Sequence, residues 1–141
     1  MIEFISYLST NGKDIYKLLS KKIHFAENTS ICRKHKIYGW FESSSKTMVF
    51  CTQRIKSNPD FKYYVEETLL HESAHVAQYC KGRGKVVPLG LNANYLSSRR
   101  IEDLKISVSM FGNEIRKVET EAYWLENKPL EVKTQILKYC F

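Results

Sequence analysis

The sequence predicts a single α+β domain, with a small antiparallel sheet packed on a long central helix and on a second, glutamate-bearing helix. Three observations carry this prediction. The chain has 141 residues, enough for one buried core and too few for two ordinary domains. Residues 36–42 and 47–52 are rich in β-formers and are separated by Ser43-Ser44-Ser45-Lys46, the pattern of an antiparallel hairpin. Residues 59–81 are bracketed by Ser57-Asn58-Pro59-Asp60 at the front and Gly82 at the back, which predicts one long helix with a first-turn proline.

The remaining elements follow in order. Residues 14–22 have helical apolar spacing and end on Lys21-Lys22, where positive charge complements the helix dipole. On the wheel of the long helix, Val65, Leu69, Val76 and Cys80 form one apolar stripe, and Tyr63, Leu70, Ala74 and Ala77 form another. A helix apolar on two sides is a central, buried one. Between the stripes lies a sector with Thr68, His71, His75 and Tyr79. A loop follows through Gly82-Arg83-Gly84, Pro88 and Gly90. Residues 98–110 and 113–127 then read as helices broken near Gly112, and Pro129 opens a last helix.

Composition narrows the function classes. A hydrophobic share of 43% with 26% charged residues is that of a globular chain, not a disordered one. No run of 18 apolar residues occurs, and the N-terminal segment lacks a basic stretch followed by an apolar one. An intracellular, cytoplasmic protein without a membrane partner is the expectation. Cys32, Cys51, Cys80 and Cys140 form no Cys-x-x-Cys pair, which argues against a zinc ribbon or dithiol redox motif and favours reduced, mostly buried thiols, while the even count leaves two disulfides open in an oxidising compartment. Cys32 and His35 lack a second ligand pair nearby. The net charge of +7 is spread along the chain with no nucleic-acid motif, so it reads as a solvated basic surface rather than a nucleic-acid interface.

The chemistry concentrates at residues 71–75, which read His-Glu-Ser-Ala-His. Histidines at i and i+4 share a helix face, so His71 and His75 can offer ring nitrogens to a single zinc ion. Glu72 lies about 100° round the helix from His71, beside the metal position. It is placed to take a proton from a water activated by the metal, which is the chemistry of metal-assisted amide hydrolysis. Two unpaired histidines between apolar stripes would otherwise be costly to bury. An open tetrahedral site needs a third protein ligand, and Glu102, Asp103, Glu114, Glu119, Glu121 and Glu126 all lie downstream.

With this motif, and with Glu119-Thr120-Glu121-Ala122-Tyr123 on a second helix, the sequence resembles the gluzincin branch of HExxH zinc metallopeptidases, particularly its smallest single-domain members. The absence of a His-x-x-Gly-x-x-His continuation after His75 separates it from the branch with a third histidine. The resemblance implies a zincin-like fold, Zn2+ as cofactor and a peptide or protein substrate. It also implies Glu119 as third ligand, with Glu121 the next choice, and Ala122 as the small residue that allows close helix packing. Tyr123 stands where the family carries an acid or amide that orients a zinc histidine. The strand before the zinc helix is implied to be the sheet edge lining the cleft, which makes Val49, Phe50 and Cys51 the expected substrate-binding residues. Oxyanion donors are open among Tyr79, Tyr95, Tyr123, His35 and the Arg99-Arg100 pair. A zincin-like module that holds zinc without hydrolysing anything is the alternative reading of the same residues.

Overall fold

The computed structural model describes residues 2–141. The chain forms α1 (Thr10–Leu19), β1 (His24–Glu27), α2 (Ser30–Lys34), β2 (Gly39–Glu42), β3 (Thr47–Phe50), α3 (Thr52–Ile55), α4 (Phe61–Lys81), α5 (Ser98–Phe111), α6 (Arg116–Leu125) and α7 (Pro129–Cys140), with short 3-10 turns at Phe4–Tyr7 and Asn113–Ile115. The result is a small, mostly helical α+β fold built round α4. Both stripes of α4 are buried over its middle, where Val65, Leu69, Ala74, Val76 and Ala77 are fully buried and α6 and α7 pack on it, but Tyr63 at its first turn is 52% exposed. Helix α1 starts four residues earlier than its apolar spacing suggests, because the Ser9 side chain caps it by accepting from Gly12 N–H at 3.1 Å. The Glu66 carboxylate in turn accepts from Ser9 N–H and Oγ, at 3.0 and 2.7 Å, and ties α1 to α4.

The sheet differs from the expected antiparallel hairpin. It has three strands in the order β1-β3-β2, with β2 antiparallel and β1 parallel to β3. β1 is only four residues, His-Phe-Ala-Glu, too short and too mixed to show period-two alternation. Its place is fixed from elsewhere. The Glu27 carboxylate accepts from Glu3 N–H at 2.6 Å, from Phe4 N–H at 3.0 Å and from the Thr52 hydroxyl at 2.5 Å.

The expectation of reduced thiols is also corrected. Cys32 bonds Cys51, and Cys80 bonds Cys140. The partners are 19 and 60 residues apart in sequence, but folding brings their Cα atoms to 5.5 and 5.2 Å, within disulfide reach. The first bridge joins α2 to the end of β3. The second staples the C-terminal ends of α4 and α7 together. A metal site at Cys32 and His35 is thereby excluded, since the sulfur is already bonded. Among the described residues no helix is long and apolar enough to cross a membrane.

Candidate metal centre

His71 and His75 lie one turn apart on the face of α4 that looks into a cleft of ≈ 790 Å³. The floor of this cleft is α4. One wall is β2 with the segment before it, and the other is α5 with α6. Glu119 comes from the first turn of α6, which packs against α4 through the fully buried Ala122. Its Oε1 faces both rings: it lies 3.3 Å from His71 Nε2 and also contacts His75 Nε2. One ligand atom from each of these three residues falls within 4.8 Å of the others. Two imidazole nitrogens and one carboxylate oxygen converging on an accessible point are the donor set of an open catalytic zinc site. The three residues could therefore hold a metal ion.

The outward ring nitrogens are held as firmly. His71 Nδ1 bonds Glu126 Oε1 at 2.8 Å, and Arg100 Nε donates to Glu126 Oε2 at 2.8 Å. The acid that the resemblance implies at position 123, where Tyr123 stands, thus has its counterpart in Glu126, the residue that follows α6. Glu119 and Glu126 are seven residues apart, so they share a helix face, and that spacing is the signal that could have identified Glu126. His75 Nδ1 bonds Gln78 Oε1 at 2.8 Å. Gln78 stands three residues past His75 on the same face and was not singled out by the sequence motif.

Tyr123 has a different place. Its ring packs edge-on against His71 at 4.5 Å between centroids, and its hydroxyl bonds Ser107 Oγ at 2.6 Å and donates to the Asp103 carbonyl at 3.2 Å. Burial pushes its phenol up to about 12, so it stays a proton donor near neutrality. Of the other candidate oxyanion donors only Arg99 lines the cleft. Tyr79 packs on Phe41, Tyr95 is exposed, His35 packs on Phe111, and Arg99 and Arg100 pair with Glu67.

Glu121 is excluded as a ligand in this arrangement. It is 5% exposed and points away from the cleft, where its carboxylate accepts from the N–H groups of Leu89, Gly90 and Leu91 and from Gln78 Nε2. Residues 119 and 121 lie about 200° apart on a helix, so only one of them can face α4's histidines.

Glu72 lines the cleft and is 7% exposed. Burial pushes its carboxyl above the ordinary carboxylate range, the direction that brings a general base towards neutrality. Close approach of β2 to this point depends on Gly39. A Cβ there would meet Thr68 Cγ2 at 2.5 Å and Glu72 Cγ at 3.2 Å, so a larger residue would lever the strand away from the floor of the cleft.

The expected substrate-binding stretch Val49, Phe50 and Cys51 is corrected. β3 is the central strand, paired on both sides, and these three residues are 5%, 0% and 1% exposed. The edge that borders the cleft is β2. Cys51 N–H donates to the Tyr38 carbonyl at 2.8 Å, and the register pairs Trp40 with Val49. Antiparallel alternation then turns the N–H and C=O groups of Gly39 and Phe41 outward from the sheet. Arg54 Nη1 fixes the lead-in to this strand by donating to the carbonyls of His35 and Ile37, each at 2.9 Å. The opposite wall meets β2 where Phe111 packs on Trp40, 5.0 Å between centroids.

The electrostatics of the centre predict how metal binding depends on pH. Burial pulls the two imidazoles down, but the Glu119 carboxylate and its neighbours outweigh it. Both histidines sit above their ordinary value, His71 well above. Burial acts upward on Glu119, yet the two rings hold it well below the usual carboxylate range. Without metal, the rings keep their protons to higher pH than free histidine does. A metal needs both Nε2 lone pairs, so binding expels protons, and affinity falls as pH falls. The expected slope is up to about tenfold per pH unit for each proton displaced. Zinc competition titrations between about pH 5 and 8 measure it, and an affinity flat across that window contradicts the assignment of these rings as ligands.

No curated protein and no solved structure matches the chain. A family model described as Domain of unknown function (DUF8637) matches residues 4–141, and the chain belongs to that family.

Proposed function

We propose that the protein is a zinc metallopeptidase of zincin-like type, which hydrolyses peptide bonds in an extended peptide or protein segment. The observation that carries this reading is the convergence of His71, His75 and Glu119 at the floor of an open cleft, with Glu72 beside them. A zinc ion held by these three residues would acidify water and polarise a carbonyl at the point they share.

The protein's own groups supply the rest. Glu72 accepts the proton of the attacking water and passes it to the leaving amine. Its raised pKa fits both halves of that task. Tyr123, protonated near neutrality and packed beside His71, can donate to the developing oxyanion once a substrate draws its O–H from the Asp103 carbonyl, while Ser107 Oγ donates to its oxygen. The outward groups of Gly39 and Phe41 can pair with a substrate main chain, which gives affinity with little sequence preference. The two disulfides favour an oxidising compartment over the reducing cytosol as the place of action.

Incubation of the zinc-loaded protein with a mixed peptide library tests the proposal. Cleavage that a chelator stops and added zinc restores is the expected result. A library left intact by protein that demonstrably holds zinc would leave only the non-hydrolytic zinc module.

A further inference from the structure

Behind His75 lies a chain of hydrogen bonds that reaches from the metal position to the loop after α4. Gln78 is fully buried. Its Nε2 donates to Glu121 Oε1 at 2.9 Å and to the Val118 carbonyl at 3.0 Å, while its Oε1 faces His75 Nδ1 at 2.8 Å. Glu121 also receives the successive backbone N–H groups of Leu89, Gly90 and Leu91, at 2.7, 2.8 and 3.0 Å.

Donor and acceptor inventory fixes the direction of every bond in this chain. A backbone carbonyl is an acceptor only, and so is a carboxylate that receives four donors. The Gln78 amide must therefore turn its NH2 group to Val118 and Glu121 and its oxygen to His75. An amide oxygen can only accept, so His75 Nδ1 must carry a proton. The Nε2 lone pair is then the one left for a metal.

We propose that Gln78 and Glu121 are positioning residues for His75. Glu121, held by the loop at Leu89, Gly90 and Leu91, orients the Gln78 amide, and Gln78 holds the ring in the Nδ1–H form with Nε2 turned to Glu119. This rests on the metal reading of the centre and not on peptide hydrolysis. It gives Glu121, which is two residues from the ligand Glu119 and faces the other way, a role in the site it does not touch. It also makes the metal centre respond to the 88–91 loop, which lies outside the cleft.

The test compares wild type with Gln78→Leu and Glu121→Gln. Gln78→Leu removes the acceptor from His75. Glu121→Gln sets an amide NH2 among groups that only donate, so whichever way it turns, either Gln78 and Leu89 or Gly90 and Leu91 lose their acceptor and the link from the loop to Gln78 is weakened. Zinc affinity measured against a chelator is expected to fall about 10–100-fold in Gln78→Leu, the size usual for groups that orient a ligating histidine. A fall in the same direction is expected in Glu121→Gln. In the cobalt-substituted wild type, proton NMR should show two solvent-exchangeable, strongly shifted imidazole N–H signals, one from each histidine. One of the two should be lost to solvent exchange in Gln78→Leu.

A purely structural role would lower the melting temperature of the metal-free variants while leaving both signals and the zinc affinity in place, and that result overturns the proposal. Should Gln78→Leu fail to fold, Glu121→Gln is read by the same two measurements. Wild type that takes up no zinc at all overturns the metal reading and this proposal with it. Zinc uptake without peptide cleavage leaves the proposal standing.

Discussion

A Glu72→Gln protein is expected to bind zinc as the wild type does and to cut peptides about 10²–10⁴-fold more slowly. The separation of the two effects follows from geometry. The candidate metal position is bounded by His71 Nε2, His75 Nε2 and Glu119, whereas Glu72 is the helix neighbour of His71 and lines the cleft beside it. Glutamine keeps the shape of the side chain that occupies the space beside Gly39, so the floor of the cleft is preserved. What it loses is the ability to accept a proton. Burial pushes the Glu72 carboxyl above the ordinary carboxylate range, which strengthens it as a proton acceptor, and an amide has no such capacity. Full activity in this variant would sink the mechanism. Loss of zinc together with activity would mean that Glu72 is itself a ligand. Glu119→Gln should behave in the opposite way and weaken zinc binding first, because there the removed charge is the one that faces both rings.

Reduction of the two disulfides is expected to cost about 2–5 kcal/mol of folding stability per bridge, a large share of the roughly 5–15 kcal/mol typical of a whole domain. The Cys80–Cys140 bridge spans 60 residues and the Cys32–Cys51 bridge spans 19. In the chain-entropy account the wider loop stabilises more, about 4 against about 3 kcal/mol. Denaturant unfolding of Cys80→Ala/Cys140→Ala and Cys32→Ala/Cys51→Ala, each beside wild type, measures the two terms. Their functional consequences should also differ. The first bridge pins the end of β3, whose partner β2 borders the cleft, so its loss should weaken substrate binding more than zinc binding. The second closes the far ends of α4 and α7, beyond the histidines, and should act mainly on stability. Unchanged unfolding in both pairs would contradict the bridges' place in the fold.

The legible parts of the molecule were those written in local spacing. α4 is visible because its caps and its apolar stripes are periodic, and His71, Glu72 and His75 are visible because i and i+4 positions share a helix face. Glu119 came from a motif on a second helix, and α6 brings it to the two rings. Features that depend on distant pairing were not legible. The parallel partner β1 is four residues without alternation, so nothing local reveals that it converts β3 into a central strand. That one pairing moves the open edge from Val49, Phe50 and Cys51 to Gly39 and Phe41. The disulfides are equally non-local, since each depends on Cα distances that only the folded chain sets. The partners of the histidines fall between these cases. Glu126 and Gln78 stand at helical spacing from the candidate site residues Glu119 and His75, but nothing in their identity distinguishes them from surface polar residues until the helices are packed.

The most direct test of the metal centre is anomalous diffraction at the zinc absorption edge from crystals of the protein purified without chelator. One peak is predicted at the floor of the cleft, bonded by Nε2 of His71, Nε2 of His75 and a carboxylate oxygen of Glu119, at about 2.0–2.2 Å from each. A peak held by other residues, or none after zinc is added, would contradict the account.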